Sequence, residues 1–77
     1  HSALAASVAR ARDVRLPLAR QRAEAAVGAF AAGNSGSSTL IAARRDQLEA
    51  ELDVLMLEER LAMTGAALTL QYAETAP

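Results

Sequence analysis

Apolar residues recur every three or four positions along two stretches of the chain, a spacing that predicts two helices. The stripe of the first stretch consists mostly of small residues: Leu16, Ala19, Ala23, Ala26 and Phe30. Because small side chains let two helices approach closely, we expect this stripe to face the second helix.

The second stretch carries two apolar stripes, displaced from one another around the helix. The stripe that we expect to face the first helix is Ile41, Leu48, Leu52, Leu55, Ala62 and Ala66. The other stripe is Val54, Leu57, Leu61 and Leu68. A two-helix hairpin buries only one stripe of each helix, so the other stripe predicts self-association into a four-helix or larger bundle. The alternative is that a leucine-rich helix simply leaves these residues exposed.

The two stretches are separated by a glycine- and serine-rich segment: Gly33, Asn34, Ser35, Gly36, Ser37 and Ser38. Such a cluster between two helical patterns predicts the turn of an αα-hairpin. Gly33 suits the position after a helix, where a left-handed residue closes it, and Ser37 is our choice of N-cap for the second helix. The predicted fold is therefore an all-α, antiparallel, coiled-coil-like hairpin, with helices over about 2–32 and 38–72 and a bend at 33–37.

Pro17 interrupts the pattern of the first helix. It lacks an N–H group and disfavours the helical conformation at Leu16. Two outcomes fit the sequence: one continuous helix kinked at Pro17, or a new helix with Pro17 in its first turn. Good helix formers on both sides favour the kinked helix.

Composition indicates that this hairpin needs further support. Of the 77 residues 52% are hydrophobic, but many of these are Ala, and only Phe30 and Tyr72 are aromatic. Because Ala buries little area, the core is small for the length of the chain. There is no cysteine to form a disulfide or a thiolate metal site. We therefore expect residues 1–77 to be a single hairpin, stabilised by self-association or by a larger protein of which it is a fragment.

Charge is divided between the two halves of the chain. Residues 1–39 contain five Arg against two acids, and residues 40–77 contain three Arg against seven acids. This division favours the antiparallel pairing, and the net charge of −1 without any Lys argues against a nucleic-acid partner. No apolar run approaches the ~20 residues that span a bilayer as a helix, so any membrane contact is expected to lie in other parts of a parent protein.

The sequence contains no recognisable catalytic constellation. Its one His stands at the terminus, and Asp46, Glu49 and Asp53 form the kind of charged helix face that is usually solvated. Met56 and Met63 sit at helical spacing, which is more typical of a core than of a soft-metal site. We therefore expect no enzymatic activity, no bound metal and no cofactor.

The residues around the bend also match a known signature. Phe30 falls on its aromatic position, Gly33 on its glycine and Ala43-Arg44 on its later Ala-Gln/Arg pair, with no insertion or deletion. With regularly spaced Leu from Leu40 onward, this segment resembles the outer-membrane efflux protein family, the TolC-like outer-membrane factors. The Leu-Pro-Leu-Ala run at 16–19 is similar to the heavy-metal, CzcC-like branch.

This resemblance implies a hairpin from the periplasmic α-barrel of a tripartite heavy-metal or drug efflux system in the outer membrane of a Gram-negative bacterium. In that family hairpins of three subunits stand side by side, and their turns meet a periplasmic membrane-fusion adaptor. The implied adaptor-docking tip is Gly33, Asn34, Ser35, Gly36, Ser37 and Ser38, and self-association is assigned to Val54, Leu57, Leu61 and Leu68. The alternative is a small stand-alone helical oligomerisation module without a transport role.

Overall fold

The computed structural model describes residues 2–75, with the side chains of all of these except 69 and 71–75. Four helical segments follow one another: α1 (Ser2–Arg10), a π-helical segment (Ala11–Arg15), α2 (Leu16–Ala31) and α3 (Ser37–Thr75). The regular structure of the described residues is therefore all-helical, as the apolar spacing predicts. The molecule is a thin rod of 68 × 15 × 13 Å.

Helical conformation continues from Ser2 to Ala31, and we refer to this run as the first arm. Leu16 keeps ordinary helical angles (φ −66°, ψ −48°) although it precedes Pro17. In a regular α-helix the ring of Pro17 would clash with the carbonyl four residues earlier, that of Asp13. Asp13 lies within the π-helical segment, whose wider turn gives the ring room. Pro17 stands in the first turn of α2 while helical conformation continues through it, and the kink stays a prediction.

The first arm packs against α3 mainly through small residues. The buried side chains are Val8, Ala11, Leu16, Ala19, Ala23 and Ala26 on the first arm, with Ala50 and Val54 on α3. The predicted stripe of the first arm is confirmed for its first four members. The prediction that Phe30 belongs to this stripe is wrong, because its side chain is exposed in the last turn of α2, at a level where α3 has only begun. Ala23 and Ala50 are each 1% exposed, so a larger side chain at either position would push the arms apart.

On α3 the predicted facing stripe is wrong, because Val54 and Leu57 of the other stripe face the first arm instead. The stripe expected to face the first arm is exposed: Ile41, Leu48, Leu52, Leu55, Ala62 and Ala66. Val54 lies instead in the buried cluster, and Leu57 packs against that cluster. The size of the side chains explains this orientation of α3, because the Ala-rich first arm packs closely against Ala50 and the compact Val54. A row of leucines would hold the two helices further apart.

Ion pairs show the direction and the register of the two arms. Three of them join the first arm to α3: Arg12–Glu58, Arg15–Asp53 and Arg20–Glu51. Residue numbers rise along the first arm while those of their partners fall along α3, so the two arms run in opposite directions. All six side chains are partly exposed to solvent, and such pairs contribute only about 0–1 kcal/mol each. They therefore report the register more than they stabilise it.

Candidate functional site

The turn between the arms is closed by two backbone hydrogen bonds. The N–H of Asn34 donates to the carbonyl of Ala29 at 2.8 Å, and the N–H of Gly33 donates to that of Phe30 at 3.0 Å. This pair of bonds is a Schellman motif, which needs a left-handed residue after the helix. Gly33 supplies it with φ of 76°, the only positive φ among residues 2–75. The predicted role of Gly33 is confirmed.

We expect Gly33→Ala to destabilise the chain by about 1–2 kcal/mol, because a Cβ is strained in the left-handed conformation. Gly33→Asn is the matched control, because Asn adds a side chain at the same position but tolerates the left-handed conformation better than Ala. Urea unfolding followed by circular dichroism measures both variants. Equal losses of unfolding free energy would contradict the left-handed role of Gly33.

The second arm begins one residue earlier than predicted. α3 starts at Ser37, and the carbonyl of Gly36 accepts a hydrogen bond from the N–H of Leu40 at 3.5 Å. Gly36 therefore occupies the cap position that we assigned to Ser37, and the bend covers residues 32–36 instead of 33–37. Ser37 and Ser38 are exposed in the first turn of α3.

The six residues of the predicted docking tip lie together at one end of the rod. All of them are exposed except Ser35, which is half-buried. No charged residue occurs from position 25 to position 43, so this end of the molecule is uncharged. It presents hydroxyl, amide and backbone groups, a surface suited to hydrogen bonding and close packing with another protein.

An apolar stripe runs along the side of α3 that faces away from the first arm. We define the α3 outer stripe as Ile41, Leu48, Leu52 and Leu55, all of them more than half exposed. The spacing is that of one face of a coiled coil, with Arg45 and Glu59 at the two charged positions of the same face. A continuous exposed row of large apolar residues on a small protein indicates an interaction surface.

A second stripe of exposed residues, which we did not identify from the sequence, runs along the first arm. We define the first-arm outer stripe as Val14, Leu18, Gln21, Ala25, Gly28 and Ala32, all exposed. Its members recur at alternating four- and three-residue steps, which is a helical spacing. The stripe is hard to recognise in the sequence because most of its residues are small or, like Gln21, polar. Gln21 lies two residues from each of the buried Ala19 and Ala23, which places it about 200° around the helix, on the side of the first arm away from α3. Leu52 lies two residues from the buried Ala50, on the side of α3 away from the first arm. The two outer stripes therefore occupy opposite edges of the rod.

The four residues assigned to self-association do not form one exposed face. Val54 is 6% exposed and packed against the first arm, so it cannot meet a second chain unless the arms separate. Leu57 and Leu61 are half-buried on the same side of α3. Leu68 is exposed near the end of α3. Val54 contributes to the contact between the arms, where small side chains fit closely.

The described residues include no group of three or more His, Cys, Asp or Glu side chains placed to hold a metal ion. Asp53 is engaged by Arg15, while Asp46 and Glu49 point into solvent. Over the same part of the chain, no helix is both long enough and apolar enough to cross a bilayer.

The uncharged turn and the two outer stripes are exposed surfaces suited to contacts with other proteins. No family model, curated protein or solved structure matches the chain.

Proposed function

We propose that the chain is an antiparallel helical hairpin from the periplasmic α-barrel of a TolC-like outer-membrane efflux component, standing side by side with further copies. The observation that carries this proposal is the α3 outer stripe, exposed along a rod only two helices wide. Leu52, for example, is 56% exposed. Each large apolar side chain moved from water into a contact contributes about 1.5–3 kcal/mol. Neighbouring hairpins in a barrel wall would cover this stripe over its whole length.

The turn supports the second half of the proposal, docking to a periplasmic membrane-fusion adaptor. The Schellman motif holds residues 33 and 34 in one conformation, so little entropy is lost when a partner binds. The absence of charge from position 25 to position 43 means that no ionic groups must be desolvated at the contact. The parent protein would lie in the periplasm and outer membrane of a Gram-negative bacterium and export heavy metals or drugs.

Photo-cross-linking tests adaptor docking directly. The chain has no native cysteine, so Asn34→Cys can carry a thiol-linked benzophenone at the turn and Ala67→Cys the same label near the far end of the rod. Both side chains are exposed. With a purified membrane-fusion adaptor of a heavy-metal efflux system, we expect an adduct from position 34 and none from position 67. Equal labelling from both positions, or none from position 34, would contradict docking through the turn.

The competing function is a stand-alone oligomerisation module, which the α3 outer stripe also favours. The open reading frame that surrounds this sequence separates the two functions. A longer frame with a second similar hairpin and alternating β-strand segments supports efflux. A frame limited to these residues, with no signal sequence, supports the module.

A further inference from the structure

We infer that the surface covering the α3 outer stripe is the first-arm outer stripe of a second copy of this chain, with the turns of both copies at the same end. The inference rests on the proposed side-by-side arrangement and deepens it, because it names both faces of the contact and their register. It follows from four features of the described residues: the placement, register, size and charge of the two stripes.

The placement of the stripes favours contact between unlike faces. They lie on opposite edges of the rod, and both are exposed. A two-fold dimer through α3 alone would cover the α3 outer stripe and leave the first-arm outer stripe in water. A contact from α3 of one copy to the first arm of the next covers both, and such a head-to-tail contact can repeat around a ring.

The register of the arms brings the two stripes level. The three ion pairs between the arms, Arg12–Glu58, Arg15–Asp53 and Arg20–Glu51, differ in register by up to three residues. The average of the three sets members of the two stripes at nearly equal distances from the turn: Gly28 with Ile41, Gln21 with Leu48, Leu18 with Leu52, and Val14 with Leu55. Two copies with their turns level therefore match the stripes layer by layer.

The sizes of the facing residues are complementary, and Gly28 is the clearest case. Glycine inside a helix costs roughly 1 kcal/mol relative to Ala. Nothing within this chain requires it, because an added Cβ at Gly28 meets no atom within 4 Å. The close approach of Ile41 from a neighbouring copy supplies a reason for its presence. Further from the turn the first-arm outer stripe carries Leu18 and Val14, which add apolar contact area opposite leucines.

The charges on the edges are complementary as well. Arg45 and Glu59 are the two charged positions on the face of the α3 outer stripe, and both are exposed. In the same register Arg45 is level with Glu24 and Ala25, and Glu59 is level with Arg10. Arg45, Glu59 and Glu24 have no ion-pair partner among the described residues, and Arg10 bonds only the hydroxyl of Ser7. Each charge on the stripe therefore meets an opposite charge on the neighbouring first arm.

Disulfide mapping of the 77-residue chain tests the register. Chains carrying Gly28→Cys and, separately, Ile41→Cys are mixed in equal amounts, one of them mass-tagged, and oxidised with copper phenanthroline. We expect the mixed disulfide to exceed either homodisulfide at least fivefold. Gly28→Cys mixed with Leu55→Cys is the matched control and should give little product, since those positions lie at different levels. A dominant homodisulfide of Leu52→Cys would show a two-fold contact between α3 helices and overturn the inference.

Exchanging the charges of Arg45 and Glu24 tests the same contact between copies and leaves Gly28 unchanged. Arg45→Glu should weaken association about tenfold, and adding Glu24→Arg in the same chain should restore it. Weakened association without restoration would overturn the inferred pairing while leaving self-association itself in place. The photo-cross-linking of the turn is independent of both experiments, so failure of this register and failure of adaptor docking are distinguishable.

Discussion

Replacing Leu48 and Leu52 together by Gln should dissociate the protein into single chains that remain helical. Both residues lie at the centre of the α3 outer stripe and face away from the first arm. Leu48 is 65% and Leu52 56% exposed, so covering what remains contributes about 2–4 kcal/mol, a roughly 30- to 10³-fold change in dissociation constant. An amide buried there without a partner would weaken the contact further. Sedimentation equilibrium measures the association, and far-ultraviolet circular dichroism measures the helix content.

The matched control for this variant is Leu57→Gln with Leu61→Gln, the same chemical change on the other side of α3. These residues are half-buried toward the first arm, so their replacement should lower the stability of each chain. If this pair abolished association at unchanged stability while Leu48→Gln with Leu52→Gln did not, the orientation of α3 would be wrong.

Leu16→Ala should destabilise the chain by about 2–5 kcal/mol, the usual range for a buried leucine cut back to Ala. Leu16 is the largest side chain in the buried cluster, whose other members are Ala and Val. In a protein with so small a core, that loss is a large share of the total stability. Urea unfolding, carried out in the Leu48→Gln, Leu52→Gln background, measures the effect without a contribution from association.

Leu18→Ala provides the control for that experiment. It removes the same atoms two residues further along α2, where the side chain is 42% exposed against 7% for Leu16. We expect less than half the loss of unfolding free energy. Equal losses would contradict the assignment of Leu16 to the contact between the arms.

The helices and the turn could be predicted because their causes are local. A repeat of 3.6 residues marks both arms, and Gly33 marks the residue that closes α2. The first residue of α3 was misplaced by one position because Gly36, Ser37 and Ser38 all suit a helix start. The π-helical segment was not predicted, since it relieves a clash between Pro17 and a carbonyl one turn earlier that the residue pattern does not reveal.

Which stripe of α3 faces inward could not be decided from the sequence of α3 alone. Both stripes have the helical period and each contains three Leu, so neither stands out as the inward one. The inward side is instead set by fit to the other arm, where Ala19 and Ala23 leave room for Ala50 and Val54 but not for a row of leucines. This property belongs to the pair of helices, and neither helix shows it by itself.

We propose that further copies of the chain cover the two outer stripes. Sedimentation equilibrium of the unmodified 77-residue chain at micromolar concentration measures this association. We expect an average mass that exceeds the 8.0 kDa of one chain and rises with concentration. A well-folded, helical species of 8.0 kDa across that range would contradict it.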